Sequence, residues 1–138
     1  MSTKKPKAKY SAVLLIDDSE IDNFINHKMM EGCNFSERVY IHTSSKSALE
    51  FLKNLERTGN VPKELIPELI FLDINMPIMD GFQFIEEFDK LSKELKSRSK
   101  VVMLTTSVNP SDIERANKSK YIIKYVNKPL IQDVLLSI

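Results

Sequence analysis

Leu69-Ile70-Phe71-Leu72-Asp73 decides how this chain is read: four consecutive apolar residues run straight into a carboxylate. An unbroken apolar run of this length suits a strand covered on both faces, as in a parallel sheet. Outward from it the pattern recurs. Ala12-Val13-Leu14-Leu15-Ile16 runs into Asp17-Asp18, Val101-Val102-Met103-Leu104 into Thr105-Thr106, and Ile122 to Val126 into Asn127-Lys128-Pro129. Val39-Tyr40-Ile41 is a further short strand.

Between these runs the apolar spacing changes to the helical period. Ile21, Phe24, Ile25 and Met29 fall on one helical face, with Ser19 as cap and Gly32 at the end. Ala48, Phe51, Leu52 and Leu55 mark a second helix after Ser44-Ser45. Phe84, Ile85, Phe88, Leu91 and Leu95 keep one helical spacing after Gly81. Asn109-Pro110 opens a fourth helix, with the proline in the first turn, where its missing N–H does no harm. Leu130 to Ile138 can form a fifth, short one. Arg57 to Pro67 reads as a loop, with Gly59, Pro62 and Pro67 in it. Five β–α units in series predict an α/β fold, a parallel sheet with helices on both faces. In such open sheets the working site lies at the carboxyl ends of the strands, near the point where strand order reverses.

The bulk numbers narrow the classes. With 138 residues, 42% hydrophobic and 28% charged, the chain has the make-up of one ordinary globular domain. A net charge of +1 offers no grip on nucleic acid or an anionic membrane. Cys33, the single cysteine, cannot form an internal disulfide, which fits a reducing cytosol. No apolar stretch reaches the roughly 18–20 residues that span a bilayer. Residues 1–8 read as a disordered basic lead-in and residues 9–138 as the domain. A cytoplasmic location is expected.

The strand ends carry the chemistry. They bring Asp17, Asp18, Asp73, Thr105 and Lys128 to one sheet edge. Two unit charges about 5 Å apart repel by roughly 3 kcal/mol at an effective dielectric near 20. Clustered carboxylates therefore call for a proton or a cation. Hard oxygen donors favour Mg2+, which keeps several waters that phosphoryl oxygens can replace. A carboxylate beside such a metal can attack phosphorus. Lys128 can offset the phosphoryl charge, and the Thr105 hydroxyl can donate to it.

Leu14-Leu15-Ile16-Asp17-Asp18, Leu72-Asp73-Ile74-Asn75-Met76-Pro77-Ile78-Met79-Asp80-Gly81, Leu104-Thr105-Thr106 and Tyr125-Val126-Asn127-Lys128-Pro129 together resemble the receiver domain of bacterial two-component response regulators. The resemblance runs from about Lys9 to Ile138 and is closest to the stand-alone, chemotaxis-regulator type. It implies a doubly wound, flavodoxin-like five-stranded sheet of order 2-1-3-4-5. By position, Asp73 resembles the phosphoacceptor, Asp18 a direct Mg2+ ligand, and Asp17 a ligand acting mainly through water. Asn75 would add its backbone carbonyl. Lys128 matches the lysine that pairs with the phosphoryl group, and Tyr125 the switch aromatic. Thr105 matches the switch hydroxyl: it directly follows the strand and sets a spacing of eight to Ile113.

Some features depart from the commonest pattern. Thr106 stands where a smaller residue is usual, and Asn117-Lys118-Ser119-Lys120 lacks the usual Gly-Ala before strand five. The loop from Arg57 to Pro67 is long, resembling that of stand-alone regulators that partner phytochrome-type kinases. Asn75 and Ser107 flank the route of a hydrolytic water.

The implied function is a phosphorylation switch. A sensor histidine kinase or phosphotransfer protein would load Asp73, and a downstream protein would read the face of the fourth helix, strand five and the fifth helix. A homodimer is compatible with this, and direct nucleic-acid or membrane binding is not expected. Two other readings stay open. One is a receiver-like interaction module that works without phosphorylation, although such proteins commonly lose an acid or the lysine kept here. The other is a Mg2+-dependent phosphohydrolase with an aspartyl-phosphate intermediate. The haloacid dehalogenase type carries a second acid two residues after its nucleophile, where this chain has Asn75. Nine residues follow Pro129, and both a stand-alone regulator and a piece of a longer one fit that length.

Overall fold

The computed structural model describes residues 7–138. The expected lead-in falls mostly outside them, although Ala8 is buried and its N–H donates to Glu37 Oε1 at 2.9 Å. Five parallel strands form the sheet: β1 (Tyr10–Ile16), β2 (Ser36–His42), β3 (Leu69–Leu72), β4 (Lys100–Thr105) and β5 (Ile122–Asn127). Their order is β2-β1-β3-β4-β5, as the resemblance implies. Six α-helices connect or follow them: α1 (Glu20–Gly32), α2 (Ser45–Thr58), α3 (Gly81–Phe88), α4 (Lys93–Arg98), α5 (Pro110–Asn117) and α6 (Gln132–Leu136).

The continuous apolar runs are needed because strand side chains alternate between two covered faces. Leu14, Ile16, Ile70, Leu72, Val101 and Met103 pack on one face with Ala48 and Leu52 of α2 and Phe84 and Phe88 of α3. Val13, Leu15, Phe71, Val102 and Leu104 pack on the other with Met30 of α1 and Leu135 of α6. Each fully buried large side chain contributes on the order of 1.5–3 kcal/mol. Register sets the site: Ile16 lies opposite Leu72, and Leu72 opposite Met103. The next residues, Asp17 and Asp73, therefore leave the sheet side by side.

Two helical expectations need correction. On α1, Ile21, Phe24 and Ile25 are 73%, 61% and 45% exposed, Met29 of the expected face packs against the core, and the helix buries Asn23, Asn26 and Met30. Polar anchors set this rotation: Ser19 Oγ accepts from the Asp22 N–H at 3.2 Å, and Asn23 Nδ2 donates to the Asp17 carbonyl at 2.8 Å. Gly32 ends α1, as expected, and Asn34 just beyond it has a positive φ of 50°. The long third helix is two. The chain turns after Phe88, with Lys90 and Leu91 N–H groups bonded three residues back, and the Ser92 hydroxyl caps α4 through the Leu95 N–H. Leu91 and Leu95 still reach the core, so the stripe survives the break. The helix expected fourth is thus α5. The loop expected from Arg57 starts later, because α2 runs on to Thr58, and it holds a short 3-10 turn, Lys63–Leu65.

Candidate functional site

The carboxyl ends of β1, β3, β4 and β5 converge as their register requires. Asp17 and Asp73 are buried, Asp18 is exposed, and one carboxylate oxygen from each lies within 4.8 Å of the others. The Lys128 ammonium reaches across the cluster. It donates to Asp17 Oδ2 at 2.5 Å and Asp22 Oδ2 at 2.9 Å, and lies 3.6 Å from Asp73 Oδ2. Lys128 is aimed from the end of β5, where its N–H donates to the Thr105 carbonyl at 2.9 Å and its bond to Pro129 is cis.

Burial governs the acids. It raises the Asp17 carboxyl above its ordinary pKa, opposed by the Lys128 ammonium and the Ser19 N–H that bond to it. Burial alone would lower Lys128. Hydrogen bonds to Asp17 and Asp22, with the charges of Asp73 and Asp17, outweigh it and hold the amine above the ordinary lysine range. The amine is therefore a cation at neutral pH.

The loop after Asp73 is held tightly. Asp73 Oδ1 accepts the Ile74 N–H at 2.9 Å, and the Gly81 N–H donates back to the Ile74 carbonyl at 2.9 Å. A Cβ on Gly81 would sit 2.5 Å from the Asp73 carbonyl oxygen, so glycine is needed for this approach. Asp80 caps α3 in a reciprocal box with Gln83. Asn75, in between, is exposed. So is Ile78, whose φ of 70° is unusual for a β-branched residue.

Thr105 ends β4 and is fully buried, whereas Thr106 is exposed. Thr105 Oγ1 accepts the Ser107 N–H at 3.2 Å. The Tyr125 hydroxyl, half-buried on β5, donates to the Ser107 carbonyl at 2.9 Å. Ser107 thus joins the two expected switch side chains through its own backbone.

The fold brings the expected site residues to one edge: Asp17, Asp18, Asp73 and Lys128 at the cluster, Thr105 and Tyr125 on adjoining strands. It adds two that the sequence reading missed. Asp22 accepts from the lysine, and Asn23 donates to the Asp17 backbone carbonyl. Their signal was spacing: Asp22 lies four residues after Asp18, about one helical turn from the strand end.

The family described as the response regulator receiver domain matches residues 13–138. The chain belongs to this family. Curated relatives include the response regulator Rcp1 of Synechocystis, 33% identical over 101 residues, covering 73% of this chain and 65% of that protein. A probable methanogenesis regulatory protein, FilR2 of Methanothrix harundinacea, is 30% identical over 118 residues, covering 86% and 72%. A solved two-component response regulator from Cytophaga hutchinsonii superposes with a TM-score of 0.80 at 33% identity, covering 91% of each chain. A receiver domain has an acidic pocket of the kind built here by Asp17, Asp18 and Asp73.

Proposed function

We propose that Asp73 accepts a phosphoryl group from a phosphohistidine on a partner histidine kinase or phosphotransfer protein, and holds it as a signal. A carboxylate oxygen of Asp73 forms a bond to phosphorus. The phosphorus–nitrogen bond of the phosphohistidine breaks, and its electron pair stays on the imidazole nitrogen. The observation that carries this reading is the cluster itself: three carboxylates within 4.8 Å and an ammonium already bonded to one of them.

The donor set is all oxygen and partly open to water, which suits Mg2+. Asp17, Asp18, Asp73 and the Asn75 carbonyl would hold the ion, which when bound supplies positive charge against the phosphoryl oxygens. Lys128 supplies a second cation. Asn75 offers no proton two residues after Asp73, so the chain is a phosphoacceptor and not a turnover phosphohydrolase. The phosphoryl group adds roughly 1.5–2 negative charges and strong acceptor oxygens. Thr105 moves to donate to it and carries Ser107 along. The Tyr125 hydroxyl then loses its carbonyl partner, and the ring turns inward. The face of α5, β5 and α6 changes, and a downstream protein in the cytoplasm reads it.

The test is incubation with a small-molecule phosphodonor and Mg2+, read by intact mass. The parent gains one phosphoryl group, and Asp73→Asn gains none. A parent that binds Mg2+ yet stays unlabelled sinks the proposal, and leaves a receiver that works by protein contact alone.

A further inference from the structure

Lys128 is shared among three acids, and one of them stands outside the set just described. Asp22 lies in the first turn of α1. Its backbone N–H is fixed to Ser19 Oγ, and its neighbour Asn23 is fixed to the Asp17 carbonyl. The Asp22 carboxylate therefore holds a set position over the pocket, 2.9 Å from the ammonium. Asp73, the nucleophile, is farther at 3.6 Å.

Exposure separates the partners. The side chain of Asp22 is 37% exposed, against 6% for Asp17 and 8% for Asp73. A carboxylate that open to water can release its cation and be rehydrated at small cost. A buried one cannot do so without a replacement charge. Asp22 is the partner that can let go.

We propose that Asp22 is a positioning residue that draws Lys128 toward α1 and competes with the phosphoryl group for its ammonium. The inference rests on Asp73 being the phosphoacceptor. In the resting state Asp22 keeps the ammonium off the acceptor oxygens. When phosphoryl oxygens arrive on Asp73 they take the ammonium, and Asp22 returns to water. Each phosphorylation must displace that contact, so Asp22 slows loading and lowers the phosphorylated population at a given donor level.

The experiment compares the parent with Asp22→Asn and Asp22→Glu. One measurement is the rate of self-phosphorylation by a small-molecule phosphodonor at saturating Mg2+. The other is the Lys128 side-chain NMR signal, assigned by its loss in Lys128→Arg, before and after addition of beryllofluoride with Mg2+ as a phosphoryl stand-in. Asp22→Asn should load about fivefold faster or more, the low end of ordinary coupling between sites. Its Lys128 signal should start displaced toward the beryllofluoride-bound position. Asp22→Glu should restore parental behaviour in both. A Lys128 signal unmoved in Asp22→Asn overturns the proposal whatever the rate does, since a rate change alone is bulk charge. A moved signal with an unchanged rate overturns it too. Asp22→Ser serves as the second variant if Asp22→Asn fails to fold. A parent that takes no phosphoryl group defeats the parent reading instead, while the signal in the unphosphorylated proteins still reports whether Asp22 holds the lysine.

Discussion

Gly81 shows how narrow the tolerance around Asp73 is. The atoms that a Cβ would meet are backbone: the Asp73 carbonyl oxygen at 2.5 Å and the Ile74 Cα at 3.0 Å. Neither can turn aside as a side-chain tip would. Gly81→Ala is expected to cost about 1–3 kcal/mol, the usual scale of overpacking, and to slow loading of Asp73 because the loop that carries it must shift. Urea denaturation and the phosphodonor assay measure the two effects. A variant of parental stability and rate would contradict the close approach. Asp73 itself was legible in the sequence, as a lone acid at the end of an apolar run. Asp22 was not, because sequence spacing puts it near the acids without saying which way its side chain turns.

The helix α1 carries the lesson at the scale of elements. Its apolar spacing pointed to a face of Ile21, Phe24, Ile25 and Met29, yet the first three of these are exposed and only Met29 packs on the core. Helical periodicity says which residues share a side and not which side meets the sheet. Here the Ser19 cap and the Asn23 bond to the Asp17 carbonyl tie the start of α1 to the end of β1, and turning the stripe inward would break them. Phe24→Ala should therefore change stability by no more than about 0.5 kcal/mol, as surface changes do. Met30→Ala, fully buried against Phe35 and its neighbours, should cost about 2–5 kcal/mol. Thermal or urea unfolding of both variants decides it, and a reversed ranking would mean that α1 is rotated the other way.

A second contact between elements carries a pH signature. Just before β5, the Tyr121 hydroxyl donates to Asp89 at the end of α3, and its ring packs edge-on against Phe88. The bond to Asp89, then burial, push the tyrosine up to about 12. A raised pKa means that this contribution is fully present below the ordinary value of 10.0 and is lost as pH rises through about 12. Ultraviolet titration should show one tyrosine ionising about two units late, and Tyr121→Phe should remove that step.

Across the whole molecule the acid cluster links folding to ligand. Burial raises Asp17, so its favourable contribution is present below the ordinary value of 3.8 and is lost as pH rises through the raised one. The three clustered carboxylates repel one another, and a divalent cation between them would relieve that repulsion. Mg2+ at a hundred times its dissociation constant should stabilise the fold by about 2.7 kcal/mol. Unfolding with Mg2+ and with a chelator measures this, and the difference should shrink as the pH falls and Asp17 takes up its proton. Asp18→Asn should blunt it at neutral pH. A Mg2+ effect of the same size in that variant would remove Asp18 from the ligand set.

By itself, the sequence determined the five strands, of which β1, β3 and β4 are buried, their alternation with helices and the acids, hydroxyl and lysine at the strand ends. These are local properties: an apolar run needs two covered faces wherever it lies, and a strand-end residue leaves the sheet wherever the strand sits. The tertiary structure alone decided what pairs with what. It turned α1 to bury Asn23 and Asn26, broke the third helix after Phe88, joined Thr105 to Tyr125 through Ser107, and gave Lys128 to Asp22 as well as to Asp17. The physical reason is that these outcomes are contests between distant groups for the same partner. Distance and burial settle such contests, and neither is set until the strands are in register.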